Sequence, residues 1–345
     1  MKYLSSKFPN YNSPIHPLPH PPSSNMVSSL LTVMTWNMWF DKTNRAQRAE
    51  ILLDEVRSYD PDIIALQEVV SESLNIIITK MKPTYYIIGI NPNGFPAGYD
   101  TLILSKFPPI QWDRYYLPKT KMGRNLLLAT LQTPTRQITV GTFHLESVFL
   151  PKTKAAEDLK ESQLKYIYAI SPLNSILMGD TNLPLSQRGI PPNTEPISSP
   201  YIIDVYEEYT VSQLPQPLPL SERGIPPNTE PLASPYIIDS GEEDVVFNQQ
   251  DVSASQHDVH SISQPDAHSL GACPFSKGVG VSPFSKGATY CGHTNKHVKN
   301  KSIQSRLDRI YVKIKRNSLK VHFYGLTGTV TQPSDHFGVF TQLEF

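Results

Sequence analysis

Cysteine is nearly absent: Cys273 and Cys291 are the only two in 345 residues. Two thiols in the most polar third make no disulfide framework, which points to a reducing compartment, nucleus or cytoplasm, and against secretion. Long apolar runs are missing as well. No stretch is long enough to span a bilayer, so no membrane partner is expected. Residues 1–29 are rich in Pro and Ser, lack the apolar core of a signal peptide and read as a disordered arm. Net charge is zero, because 31 basic residues offset 31 acidic ones. That excludes a global attraction to nucleic acid and leaves only local patches. Apolar residues make up 39%, low for a fully packed domain, and 32 prolines assign a good part of the chain to loops. The length still suffices for one two-sheet sandwich domain.

What is present begins with a β-branched and aromatic run over residues 30–39 (LLTVMTWNMW). Residues 45–58 set Ala49, Leu52, Leu53 and Val56 at helical spacing with charges opposite, and Tyr59-Asp60-Pro61 ends that helix. Residues 62–70 (DIIALQEVV) read as a buried strand with Gln67 and Glu68 at its polar end. Helix, loop and strand then alternate through 85–90, 101–105, 126–132, 138–144 and 175–180, and strands return at 305–312 and after 336. Four apolar strands stop at a polar cluster, at Asn37, Glu68, His144 and Asp180. Strand ends converging on one crevice are where α/β sheets build sites, whereas a packing role alone predicts ordinary turn residues there.

The middle third differs. LSQRGIPPNTEPISSPYIID begins at Leu185 and LSERGIPPNTEPLASPYIID at Leu220, an offset of 35 residues, and PFSKG recurs at Pro274 and Pro283. Two Pro-rich copies cannot stack a solenoid core, so tandem duplication within a surface loop is the expected origin. Residues 242–268 are polar and without periodicity. An insertion over about 211–283 therefore interrupts one domain of 30–345. The repeats are expected to contact a protein partner whose identity the sequence does not give, and the chain is expected to be a monomer.

Hydrolysis of a phosphodiester needs a cation on the phosphoryl oxygens, a group that positions water and donors for the transition state. Mg²⁺ keeps its waters and takes few protein carboxylates, so one Glu with one or two helpers suffices. Glu68, Asp180 with Asn182, Asp308 and the Asp335-His336 pair are the groups on offer. Each has a plainer reading alone: a solvated carboxylate, a surface or core histidine, a turn-forming Asn182, a helix-capping Ser147.

The motifs TWN (35–37), LQEV (66–69), HLES (144–147), GDTN (179–182), LDRIY (307–311) and SDH (334–336) occur in the order used by the endonuclease/exonuclease/phosphatase superfamily. Six in order resemble that superfamily far beyond chance. HLES, GDTN and KMGRNLL (121–127) are similar to the branch that hydrolyses 5′-phosphotyrosyl bonds to DNA. The resemblance covers about 31–210 and 284–345. It implies a four-layer α/β/β/α sandwich of the deoxyribonuclease I type and a Mg²⁺ cofactor that Mn²⁺ can replace. It implies Glu68 and Asp335 on the metal and its waters, and Asn37 beside the phosphate or metal shell. Asp180 and Asn182 would act on water, and His144 and His336 on the phosphoryl oxygens, with Asp308 holding His336. Arg124 would lie beside the leaving tyrosine, with Tyr86, Ser147 and Tyr290 as further substrate contacts. Packing readings stay open for Arg124, as the partner of an acid, and for Tyr86, as core.

The pattern also departs from the family. Met38-Trp39-Phe40 precede Asp41, Leu183-Pro184 follow GDTN where a DNA-contacting arginine is expected, and Thr289-Tyr290-Cys291 stand for an aromatic TWD segment. Substrate is thus open among a 5′-tyrosyl DNA end, an abasic site, RNA and a phosphoinositide or phospholipid. A silent binding module is the alternative of another class, disfavoured by the complete set of Glu68, Asp180, Asn182 and His336. Lys296, Lys299, Lys301, Arg306, Arg309, Lys313, Lys315 and Arg316 form a basic cluster, either a phosphate grip or a solvated face.

Overall fold

The computed structural model describes residues 30–90, 95, 98–147, 153–183, 201–213, 287–314 and 319–345. The proposed arm at 1–29, most of both repeats, Cys273, Lys315 and Arg316 lie outside the described residues.

Two six-stranded sheets form the centre. The first is ordered β13-β14-β1-β2-β4-β3, from β1 (Leu30–Asn37), β2 (Ile63–Val69), β3 (Tyr86–Ile88), β4 (Asp100–Ser105), β13 (Lys320–Thr327) and β14 (Gly338–Glu344). The second is ordered β5-β6-β7-β8-β12-β9, from β5 (Pro109–Tyr116), β6 (Asn125–Gln132), β7 (Gln137–His144), β8 (Ser175–Asp180), β9 (Tyr201–Asp204) and β12 (Asp308–Ile314). A two-stranded ribbon, β10 (Tyr290–Cys291) with β11 (Gln304–Ser305), completes the strands.

Period-two alternation decides which side chains meet. Val33 of β1 and Ile63 and Ala65 of β2 face Leu127, Val140, Ile176, Met178 and Ile310 of the other sheet in one buried cluster. Their neighbours Met34, Trp36, Ile64 and Leu66 point outward onto Leu52, Leu53 and Val56 of α1 (Arg45–Tyr59) and Ile77 and Met81 of α2 (Ser71–Met81). On the far side Leu126, Phe143, Leu177 and Tyr311 take Leu164, Ile167 and Tyr168 of α3 (Lys154–Ile170). The layers are helix, sheet, sheet, helix, as expected.

Several local readings change. Arg48 lies on the buried face of α1, 6% exposed, so the charges of that helix are not all opposite its apolar side. Tyr201–Asp204, the end of the first repeat copy, is a strand hydrogen-bonded to β12 and leads directly into α4 (Val205–Ser212). The duplication therefore reaches into a sheet and is not confined to a surface loop. Within the supposed basic patch, Arg306 and Arg309 are buried against the Asp204 carboxylate, and Lys313 donates to the carbonyls of Tyr168 and Ser171. Only Lys296, Lys299 and Lys301 of the described members are exposed, so neither a phosphate grip nor a wholly solvated face describes the cluster. Among the described residues no helix is long and apolar enough to cross a membrane.

Candidate active site

Register brings the polar strand ends together. Parallel β7 and β8 set His144 beside Asp180, and antiparallel β12 sets Asp308 on the other side of Asp180. Across the sandwich, parallel β1 and β2 set Asn37 beside Gln67. Its amide reaches over, the Asn37 Nδ2 donating to Asp180 Oδ2 at 3.0 Å.

Glu68 is aimed by its backbone. The pairing of β2 with β4 slips between Leu66 and Val69, and Glu68 sits there in the left-handed region at φ 58°. A bulge re-aims one side chain out of the alternation, and positive φ at a non-glycine residue marks strain held for use. The Phe40 amide donates to Glu68 Oε2 at 2.9 Å, and His144 Nε2 lies 3.9 Å from Oε1. Burial first, then the charges of Asp335 and Asp180, push the Glu68 carboxyl up to about 7. Burial likewise raises Asp335.

The two histidines are set in opposite states. Arg124 Nη1 stands 2.6 Å from His144 Nδ1, and a guanidinium has no acceptor, so Nδ1 accepts and the proton sits on Nε2. That proton points at Asp180 Oδ2, 3.3 Å away. Burial and the Arg124 charge hold His144 well below the ordinary imidazole range, hence neutral. His336 Nδ1 meets Asp308 Oδ2 at 2.7 Å. Burial alone would lower His336, but Asp308, Asp335 and Asp180 together hold it well above its usual value. Asp180 stays low although burial opposes it, held by the two imidazoles, the Asn182 amide at 2.8 Å and Asn37.

Asp180, Asp308 and His336 each bring a ligating atom within 4.8 Å of the others, close enough to hold a metal ion. The 2.7 Å contact between Asp308 and His336 leaves no space for an ion between them. The Glu68 side of Asp180 is the better position, because repulsion among Glu68, Asp335 and Asp180 is what a bound cation relieves. An all-oxygen donor set of this kind suits a hard divalent ion.

Of the expected substrate residues, Arg124 is 4% exposed and, among the described residues, has no carboxylate partner, so the ion-pair reading fails. Tyr290 packs on His336, ring centroids 5.1 Å apart. Asn182 has φ 49° and donates its side-chain amide to Leu145 O, so it shapes the turn as well as bonding Asp180. Tyr86 is misplaced: it pairs with Ser105, which pairs with Ile63, at the opposite end of the sheet from Glu68. The ring beside Arg124 is Tyr99, its centroid 5.2 Å from the guanidinium, in a cleft shared with Glu68 and His144. Ser147 is half-buried beyond Glu146, and the cap of α3 is Thr153.

Sequence reasoning missed the groups that hold these residues. Glu146 of HLES accepts from Thr120 Oγ1 and the amides of Lys121 and Met122, shaping the loop that carries Arg124. Ser334 of SDH donates to the Asn37 carbonyl and accepts from the His336 amide. Thr289 Oγ1 accepts from the Leu307 and Asp308 amides. Polar motif positions near the obvious acid or imidazole were the signal for Glu146 and Ser334, whereas Thr289 had only its place in the Thr289-Tyr290-Cys291 segment. Tyr99 had only its place at the head of β4, across from the end of β2.

Comparison with known proteins agrees with this geometry. Residues 34–336 match the model of the Endonuclease/Exonuclease/phosphatase family. Tyrosyl-DNA phosphodiesterase 2 of Rattus norvegicus is 32% identical over 160 residues, covering 45% of this chain and 42% of that protein. The Homo sapiens protein is 30% identical over 186 residues, covering 52% and 48%. The matched part thus spans about half the length of these relatives. In fold, the chain resembles a D. rerio tyrosyl-DNA phosphodiesterase 2 solved with a single-stranded DNA product, TM-score 0.58 at 18% identity over 92% of this chain and 100% of that one. A mannosyl-6-phosphatase of Bacteroides thetaiotaomicron gives 0.55 at 16% identity, covering 91% and 100%. The chain belongs to the Endonuclease/Exonuclease/phosphatase family.

Proposed function

We propose that this protein is a Mg²⁺-dependent phosphodiesterase that hydrolyses 5′-phosphotyrosyl bonds to DNA, within the nucleus or cytoplasm. The observation that carries the substrate is the Arg124–Tyr99 pair, a buried cation against an aromatic ring beside Glu68 and His144. A phenolate leaving group gathers negative charge as its bond to phosphorus breaks, and a cation held there favours that change over the ground state. Relatives named for this activity support the same reading.

Glu68 and Asp335 would hold the metal, with Asn37 and Asp180 beside it. Bound there, the metal neutralises charge on the phosphoryl oxygens. Ionised Asp180 accepts a proton from the attacking water and fixes its line of approach. Protonated His336, held by Asp308, would donate to the phosphoryl oxygens, and the Nε2–H of His144, which lies 3.3 Å from Asp180 Oδ2 without substrate, would turn to them as well. Water forms its bond to phosphorus as the phenolic P–O bond breaks; the phenolate takes a proton from solvent and Asp180 returns its proton to solvent, leaving a 5′-phosphate and the tyrosine hydroxyl.

A second reading, another phosphodiester substrate, rests on Leu183, which is fully buried in the α3 cluster and cannot reach nucleic acid where an arginine is expected. Purified protein with Mg²⁺ offered 5′-tyrosyl DNA, abasic duplex, RNA and phosphoinositide separates the two. Preference for tyrosyl DNA supports the proposal, and preference for any other member replaces it.

A further inference from the structure

Among the described residues Arg48 is a buried cation with no carboxylate within salt-bridge distance, although Asp335, Asp41 and Glu68 lie near enough to act on its charge, and its hydrogen bonding is complete. Nε donates to Thr43 O at 2.9 Å, Nη1 to Met38 O at 3.2 Å and Pro333 O at 3.1 Å, and Nη2 to Trp39 O at 3.1 Å and Asp41 O at 2.7 Å. A guanidinium carries five N–H donors, so each one is used, and each ends on a backbone carbonyl. The Trp39 ring closes over the planar group with its centroid 4.4 Å away. Trp39 itself is held at φ 59°.

The carbonyls come from two segments. Four lie in the loop after β1, whose Phe40 amide bonds Glu68. The fifth, Pro333, immediately precedes Ser334-Asp335-His336. Burying an arginine is costly, and a fork fixed to five carbonyls sets distance and angle in a way one flexible ammonium cannot.

We propose that Arg48 is a positioning residue of the metal pocket: it fixes the loop that restrains Glu68 against the loop that carries Asp335 and His336. The inference rests on the metal reading of Glu68 and Asp335 given above. Without Arg48 the two carboxylates lose a common reference, and the pocket binds a divalent ion weakly although both ligands are still present.

The test is Mn²⁺ affinity of the full chain without substrate, followed by the loss of free-ion electron paramagnetic resonance signal. Arg48→Lys retains charge and most of the stem but has three donors and no planar fork. It should fold, with an unchanged circular dichroism spectrum, and bind Mn²⁺ at least tenfold more weakly than wild type. Arg48→Ala should be weaker still and regain affinity with millimolar methylguanidinium but not methylammonium. Arg57→Ala, exposed on the same helix, should bind as wild type. Wild-type affinity in Arg48→Lys overturns the proposal, as does recovery of Arg48→Ala by either additive equally. Failure of both variants to fold overturns it too, since Arg48 would then be a fold element only. If wild type itself binds no Mn²⁺, the metal reading falls and this inference with it.

Discussion

At the scale of single residues, the site trades stability for chemistry. Glu68 occupies a strained backbone conformation among other carboxylates, and its carboxyl is pushed from the usual range to about 7. A folded-state value above the unfolded one means that the protonated form is favoured on folding, so stability is lost as pH rises through about 7. Glu68→Gln should therefore raise the metal-free melting point at pH 8, by roughly 1–3 kcal/mol of stability, and abolish the rise that Mg²⁺ gives wild type. A metal-dependent rise retained in that variant would remove Glu68 from the ligand set. Arg124 allows a sharper test, of the action on the leaving group proposed for it. A tyrosine phenolate has a pKa of about 10 and needs help that a nitrophenolate does not. Arg124→Ala should slow cleavage of 5′-tyrosyl DNA at least tenfold more than that of a nitrophenyl phosphodiester. His336→Ala should slow both alike, because the role proposed for it is on the shared phosphoryl oxygens. Equal losses for Arg124→Ala would leave it a general phosphate contact. Tyr99→Leu should share the Arg124 selectivity, whereas Tyr86→Leu, at the other end of the sheet, should not.

Among the elements, strand ends were legible and what holds them was not. Asn37, Glu68, His144 and Asp180 stood out because each is a polar group ending an apolar run; register then sets His144 beside Asp180 in one sheet and Asn37 beside Gln67 in the other, with Glu68 on the adjoining bulge. Tyr86 went astray because an aromatic at a strand start gives no sign of which sheet end it occupies. Its antiparallel pairing with Ser105 does. Arg306 and Arg309 looked like surface charge because their partner Asp204 is about 100 residues away in sequence and within the repeat. Asp204 also caps α4 through the Tyr206 amide. One carboxylate thus serves two buried guanidiniums and a helix start, and Asp204→Ala removes the carboxylate they share, leaving Arg306 to Glu207 at 3.5 Å. Loss of about 3–5 kcal/mol is expected, read from urea unfolding. A change under 1 kcal/mol would show that the edge strand β9 is dispensable. Gly179 illustrates a second element-level constraint: a Cβ there would stand 2.0 Å from the Phe143 carbonyl. Backbone cannot yield as a side-chain tip can, so the glycine of GDTN belongs to the β7–β8 contact and not to the chemistry.

For the whole molecule, the question is which residues the fold requires. Both sheets and their three main apolar clusters are built from described residues that lie between 30 and 213 and between 287 and 345. We propose that the intervening stretch is an insertion that the catalytic domain does not need. The structure moves its edges, because α4 ends at Ser212 with Tyr206 and Tyr209 packed on Tyr324, so a cut at 211 would trim a helix that serves the core. The return point is equally defined. Gly287 has φ 61° and approaches so closely that a Cβ would meet the Tyr206 ring at 2.6 Å. Seven residues of helix from Tyr206 to Gln213 rise about 10 Å, so the two ends can be joined by a linker of about eight residues. Shortening a loop lowers closure entropy by only about 0.6 kcal/mol per halving. Replacing residues 214–286 with Gly/Ser should leave melting temperature within a few degrees and kcat/KM on tyrosyl DNA within about threefold. Loss of binding to a protein partner alone would assign the second repeat copy and the polar stretch after it to recruitment. Consistent misfolding across linkers of several lengths would instead make the insertion part of the core.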